Sequence, residues 1–166
     1  MRVKAIKDED FVNYKLPCMY IATCFCDWKC CREANISESV CQNNEIASLP
    51  TIDISAESIF RRYINNPITE SIVIAGLEPL LQRRELTELI MYFREHGCND
   101  PFVIYTGYNL EEVEPYLVLI KKFGNLIFKF GRYIPGHKPH YDDVLGVELA
   151  SDNQRGVYYA KNYFKP

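Results

Sequence analysis

The residues best able to do chemistry in this chain are cysteines, and six of its seven fall between positions 18 and 41. The densest part reads Cys24-Phe25-Cys26-Asp27-Trp28-Lys29-Cys30-Cys31. A polar stretch follows, and then Val40-Cys41-Gln42-Asn43. A disulfide framework needs an oxidising compartment and spreads its cysteines along the chain. Soft thiolates crowded on one short loop suit a metal or an iron–sulfur cubane instead. A cubane held by three thiolates keeps one iron open to chelate an amino and a carboxylate group. The residues leave the ligand set open: Cys31 is the alternative to Cys30, and Cys24 the alternative to Cys26. A zinc site built from four of these cysteines is the plainer reading, but zinc favours CxxC knuckles and the chain has none. Cys98 stands alone and reads as a small hydrophobe.

Other polar candidates are weaker. His96, His137 and His140 form no spaced pair with a carboxylate, and Asp142-Asp143 reads as a turn. The chain has 12 Tyr and 9 Phe, but they are scattered and read as core and surface cover.

The elements that must position the cysteines alternate. Met19–Thr23, Ser71–Ala75, Phe102–Tyr105 and Leu126–Phe130 are short apolar runs that read as strands. Ser55 caps a helix through Ile64, with Ile59, Phe60, Tyr63 and Ile64 on one face. Gln82–Glu95 places Leu86, Leu89, Ile90 and Phe93 on one helical stripe, and Gly97 ends it. Asn109 and Glu112 have the spacing of a capping box, opening a helix that aligns Val113, Tyr116, Leu117 and Ile120. Pro115 falls late for a helix start and is expected to bend the first turn. The tail from Val144 to Phe164 is less regular, with one more strand expected near Gly156–Tyr159. Strand and helix in turn predict parallel βαβ units, whose ligands sit beyond the carboxyl ends of the strands.

Length and charge bound the rest. The 166 residues fit one domain, here 1–166 with a cluster loop at 24–43. A formal charge of -3 gives no general pull toward phosphate backbones or anionic lipid, so neither nucleic acid nor membrane is an expected partner. The first ten residues lack the apolar core of a signal peptide, and no run is long enough to span a bilayer, so a cytoplasmic location is expected.

The cysteine loop resembles that of the radical-SAM superfamily, whose usual form is CxxxCxφC with φ apolar. Cys26 and Cys30 match the first half and Val40-Cys41 the second. Ten residues separate Cys30 from Cys41 where the family has two. Further segments follow in the family's order. Ala75-Gly76-Leu77-Glu78-Pro79 resembles its GGEP motif, with Leu77 in place of the second Gly. Cys41-Gln42-Asn43, Tyr105-Thr106-Gly107-Tyr108, Lys129-Phe130-Gly131-Arg132-Tyr133 and Leu149-Ala150-Ser151-Asp152-Asn153-Gln154-Arg155 resemble the activating protein of the anaerobic ribonucleoside-triphosphate reductase. Asp152 stands where that family has a second Ser. The resemblance spans roughly residues 8 to 156.

Much is implied by this resemblance. The fold would be an incomplete parallel β/α barrel, since a full one takes about 250 residues. Cys26, Cys30 and Cys41 would hold a [4Fe–4S] cluster. Asn43, Gly76, Glu78, Pro79 and Thr106 would bind S-adenosyl-L-methionine. The enzyme would be an oxidoreductase that cleaves that cofactor to a 5′-deoxyadenosyl radical, and thereby sets a glycyl radical on the large subunit of anaerobic ribonucleotide reductase. A flavodoxin or ferredoxin-like donor would supply the electron. The alternatives are a radical-SAM enzyme with another substrate and a non-enzymatic zinc module.

Overall fold

The computed structural model describes residues 1–160. The chain runs through β1 (Arg2–Asp10), β2 (Cys18–Thr23), α1 (Lys29–Ala34), α2 (Asn44–Ser48), β3 (Ile52–Asp53), α3 (Ala56–Ile64), β4 (Ser71–Gly76), α4 (Arg83–Glu95), β5 (Phe102–Tyr105), α5 (Leu110–Ile120), β6 (Leu126–Phe130), β7 (His140–Asp142), β8 (Val147–Leu149) and β9 (Arg155–Tyr159). Seven strands form one sheet in the order β3-β1-β2-β4-β5-β6-β9. The four central strands, β2, β4, β5 and β6, are parallel neighbours in chain order. The flanking strands β1, β3 and β9 are antiparallel. The protein is thus mixed α/β, with a parallel centre built from the βαβ units that the alternation predicts.

The central strands read as unbroken apolar runs because both of their faces are covered. On one face Met19, Ile21, Ile72, Ile74, Phe102, Ile104, Leu126 and Phe128 pack against the helices. There α4 supplies Leu86, Leu89, Ile90 and Phe93, and α5 supplies Val113, Tyr116, Leu117 and Ile120, the same residues its stripe predicts. The Ser55 hydroxyl caps α3 by accepting from the Ser58 N–H at 3.0 Å. Of the face expected for α3, Ile59 and Tyr63 are buried, but Ile64 is exposed, because the helix ends there. Pro115 lies past the first turn of α5, and the helix runs on through it to Ile120.

The other face carries Cys18, Val73, Val103 and Ile127 and is closed by Tyr14, Leu145 and Leu149 from the N-terminal loop and the β7–β8 hairpin. That cover ends short of the carboxyl ends of the parallel strands. The expected tail strand is β9, but 161–164 of the predicted tail lie outside the described residues. No helix among the described residues is long and apolar enough to cross a membrane.

Candidate metal centre

Where the hairpin stops, the carboxyl ends of β2, β4, β5 and β6 open into a cavity of about 300 Å³. Cys26, Cys30, Cys31 and Cys41 line one wall. Gly76, Glu78, Thr106 and Lys129 line another. The loop after β2 delivers Cys26. The six-residue helix α1 carries Cys30 and Cys31. Cys41 ends a short 3-10 turn, Glu38–Val40. Trp28, at a left-handed φ of 55°, turns the chain into α1, and its N–H donates to Cys26 Sγ at 3.3 Å. Cys31 is buried with its thiol against those of Cys30 and Cys41. The segment between Cys30 and Cys41 therefore folds back on itself and returns Cys41 to the same wall.

Cys24 faces elsewhere. Its N–H donates to Gln82 Oε1 at 2.7 Å, and its thiol points at the Thr51 hydroxyl, 3.9 Å away. Cys18, at the opposite end of β2 from the cysteine loop, donates to the Asp10 carbonyl of β1 at 3.4 Å. Cys98 packs at the edge of the core and donates to Asp100 Oδ2 at 3.5 Å. Burial pushes the Cys26 thiol up to about 12 and Cys31 up to about 11, and it raises Cys41. Thiols so placed stay protonated until a cation arrives to stabilise the thiolate. Among the described residues, no three Cys, His, Asp or Glu side chains close around a single ion. The thiols ring the cavity wall instead, and their soft sulfur suits a multi-iron cluster.

The opposite wall is built by the loops after β4 and β5. Gly76 has φ +81°, and a Cβ there would lie 2.9 Å from Ala22 Cα, so only glycine lets β4 approach β2 at this level. Glu78 is buried, and its carboxylate joins the two loops. Oε1 accepts from the Leu80 N–H at 3.0 Å and the Thr106 hydroxyl at 2.8 Å, and Oε2 accepts from the Gly107 N–H at 2.9 Å. Burial raises its pKa against the pull of those bonds. Pro79 opens the 3-10 turn Pro79–Gln82 behind this wall and is itself buried. Asn43 lines the cavity beside Cys41. Every residue of Tyr105–Tyr108 is bonded: the Tyr105 hydroxyl donates to the Asn13 carbonyl at 2.6 Å, and that of Tyr108 to Asp27 Oδ2 at 3.1 Å.

Lys129 falls in a segment that matches by sequence, but its place in the cavity was not foreseen. It is buried on the inner face of β6 and donates to the Gly131 carbonyl at 2.9 Å. Burial lowers its pKa to about 8, against the opposing pull of Glu78 and Cys30. A lone charge in Leu126-Ile127-Phe128-Lys129-Phe130, an otherwise apolar buried strand, was the signal that could have found it. His137 pairs with Asp152 at 2.6 Å on the surface, and Asp142 accepts from the Leu145 and Gly156 N–H groups as a turn residue does.

A family model described as a 4Fe-4S single cluster domain matches residues 18–128, which runs from the start of β2 into β6. The chain belongs to that family. The matched span of this cluster domain holds the cysteine loop, β2, β4, β5 and the first part of β6, and leaves out β1, the hairpin and β9. A [4Fe–4S] cluster is the cofactor that this membership supports, and the thiol wall has the donor chemistry to accept it. No curated protein and no solved structure matches the chain at a significant level.

Proposed function

We propose that this protein is a radical-SAM enzyme, with Cys26, Cys30 and Cys41 as the cluster ligands and S-adenosyl-L-methionine on the facing wall. The observation that carries the proposal is the pairing of walls. Three thiols with the family's order face the Gly76–Glu78 loop and Thr106 across one cavity at the carboxyl ends of parallel strands. A bound cluster would supply one electron and an open iron for reductive cleavage of the sulfonium to methionine and a 5′-deoxyadenosyl radical.

The chain's own residues do the positioning. Gly76 lets the backbone come close to the ligand, and its carbonyl neighbours suit a cationic ammonium. Glu78 fixes that loop to the one carrying Thr106. Lys129, a buried ammonium with one carbonyl partner, is available to an anionic group such as the methionine carboxylate. Asn43 lines the cavity beside Cys41, and Pro79 supports the Glu78 loop from behind. Sequential parallel strands with helices on one face are what a partial β/α barrel requires, and this supports that finer description of the fold.

The substrate read from the resemblance is a glycine of anaerobic ribonucleotide reductase, with flavodoxin or a ferredoxin-like protein as electron donor. The test is product analysis after anaerobic incubation of reconstituted protein with dithionite and S-adenosyl-L-methionine. Methionine and 5′-deoxyadenosine in equal amounts support the reading, and intact cofactor contradicts it. The placement of Cys31 against Cys30 and Cys41 favours a second reading. A fourth thiolate would close the open iron and leave a centre suited to electron transfer alone.

A further inference from the structure

Helix α1 cannot hold itself in place. It is six residues long, its first turn has no acidic residue, and its N-cap, Trp28, makes no side-chain cap. Isolated helices of this length do not persist. Yet α1 carries Cys30 and Cys31. Beyond the buried Cys31, ion pairs tie it to the rest of the fold.

Arg132 sits in the turn after β6 and is 8% exposed, so its guanidinium is desolvated and must be matched. Its Nη1 and Nη2 donate as a fork to Glu112 of α5 at 2.7 and 2.9 Å. Nη2 also donates to Glu33 Oε1 of α1 at 3.0 Å. Nε lies 2.5 Å from Glu33 Oε2 but out of line for a hydrogen bond, so that contact is ionic. Lys29 of α1 pairs with the same Glu112. Asp27, just before α1, accepts from the Tyr108 hydroxyl at 3.1 Å.

The turn that holds Arg132 is itself fixed. The Gly131 N–H donates to the Tyr108 carbonyl at 3.1 Å. Asn153 Nδ2 donates to the Arg132 carbonyl at 2.9 Å, and Gln154 Nε2 to that of Gly131 at 3.3 Å. A Cβ on Gly131, at φ +98°, would meet the Asn153 carbonyl at 2.8 Å. The terminal Asn153-Gln154 motif thus serves the turn that presents the guanidinium.

We propose that Arg132 is the positioning residue that docks α1, and with it Cys30 and Cys31, onto the carboxyl end of the sheet. This rests on the reading of Cys30, with Cys31 as its alternative, as a cluster ligand. A planar fork can bridge carboxylates on two elements at once, which a single ammonium cannot.

Trp28, the chain's one tryptophan, lines the cavity at the start of α1 and reports its docking. The test compares wild type, Arg132→Met, Arg132→Lys and Glu33→Gln as full chains. Acrylamide quenching of Trp28 is measured without iron, and the rate of iron release to a ferrous chelator after reconstitution with ferrous iron and sulfide. Arg132→Met is expected to expose Trp28 to quencher and speed iron release about 10-fold, as loss of an outer-shell partner does. Arg132→Lys should recover part of both effects. Glu33→Gln, at a half-exposed residue, should show the same direction with the fold intact. Wild-type quenching and release in Arg132→Met and Glu33→Gln alike would overturn the proposal. Should Arg132→Met fail to fold, Glu33→Gln and Arg132→Lys decide. A wild type that takes up no iron or sulfide defeats the cluster reading, and Trp28 quenching in the iron-free chains still decides the docking role.

Discussion

At the scale of single residues, the site divides into groups that touch the proposed cluster and groups that hold those in place. Replacing Cys26 or Cys41 with Ala should reduce iron and acid-labile sulfide to background after anaerobic reconstitution. Full iron content in either variant would remove that cysteine from the ligand set. Cys30→Ala and Cys31→Ala, assayed the same way, separate the two adjacent thiols. Lys129 predicts a pH dependence. Its folded pKa of about 8 lies below the ordinary lysine value of 10.5, so the unfolded chain binds the proton more tightly between those values. Its contribution to stability should therefore rise with pH from about 8 to 10.5, against the falling contribution of the buried thiols, and the stability difference between wild type and Lys129→Met in urea unfolding should show that rise. A variant with the wild-type pH profile would contradict the burial of this amine. The cysteines were legible because their type and crowding are rare. Lys129 was not, because a charge in a strand normally faces water, and the groups that surround this one, Glu78 and Cys30 among them, are distant in sequence.

At the scale of elements, the loops after β4, β5 and β6 act as one unit, joined by the Glu78 carboxylate and the Gly131 turn. Gly76→Ala should cost about 1–3 kcal/mol in urea unfolding, since it combines a left-handed φ with a Cβ against the Ala22 backbone. Unchanged stability would mean that β4 is free to move away from β2. Arg132 and Lys29 hold Glu112 down at about 2, so the anchor of α1 remains anionic throughout the neutral range. The parallel strands and the three long helices could be read from apolar periodicity. β1 could not, because Arg2-Val3-Lys4-Ala5-Ile6-Lys7-Asp8-Glu9-Asp10 is mostly charged and pairs near a sheet edge. The short α1, α2, β7 and β8 carry too few residues for any period to show. Glu112 was legible as a capping residue, and its N-cap bond is present, with Oε2 accepting from the Asn109 N–H at 2.9 Å. Its second role with Arg132 depends on a contact across 20 residues, which no local pattern encodes.

At the scale of the whole molecule, the two faces of the sheet do separate work. The helix-covered face supplies the large core, and the other face is part core and part cavity. Ile90→Ala on the helix side should cost about 2–5 kcal/mol in urea unfolding while leaving cluster absorbance per folded molecule unchanged. Loss of the cluster in a variant that remains folded would show the two faces to be coupled. The central claim is that three thiolates leave an iron open to S-adenosyl-L-methionine. Electron paramagnetic resonance of the reduced, anaerobically reconstituted protein, recorded with and without that cofactor, tests it most directly. The expected result is a [4Fe–4S]⁺ signal whose shape changes when the cofactor is added. A signal indifferent to the cofactor, or no cluster signal at all, would contradict it.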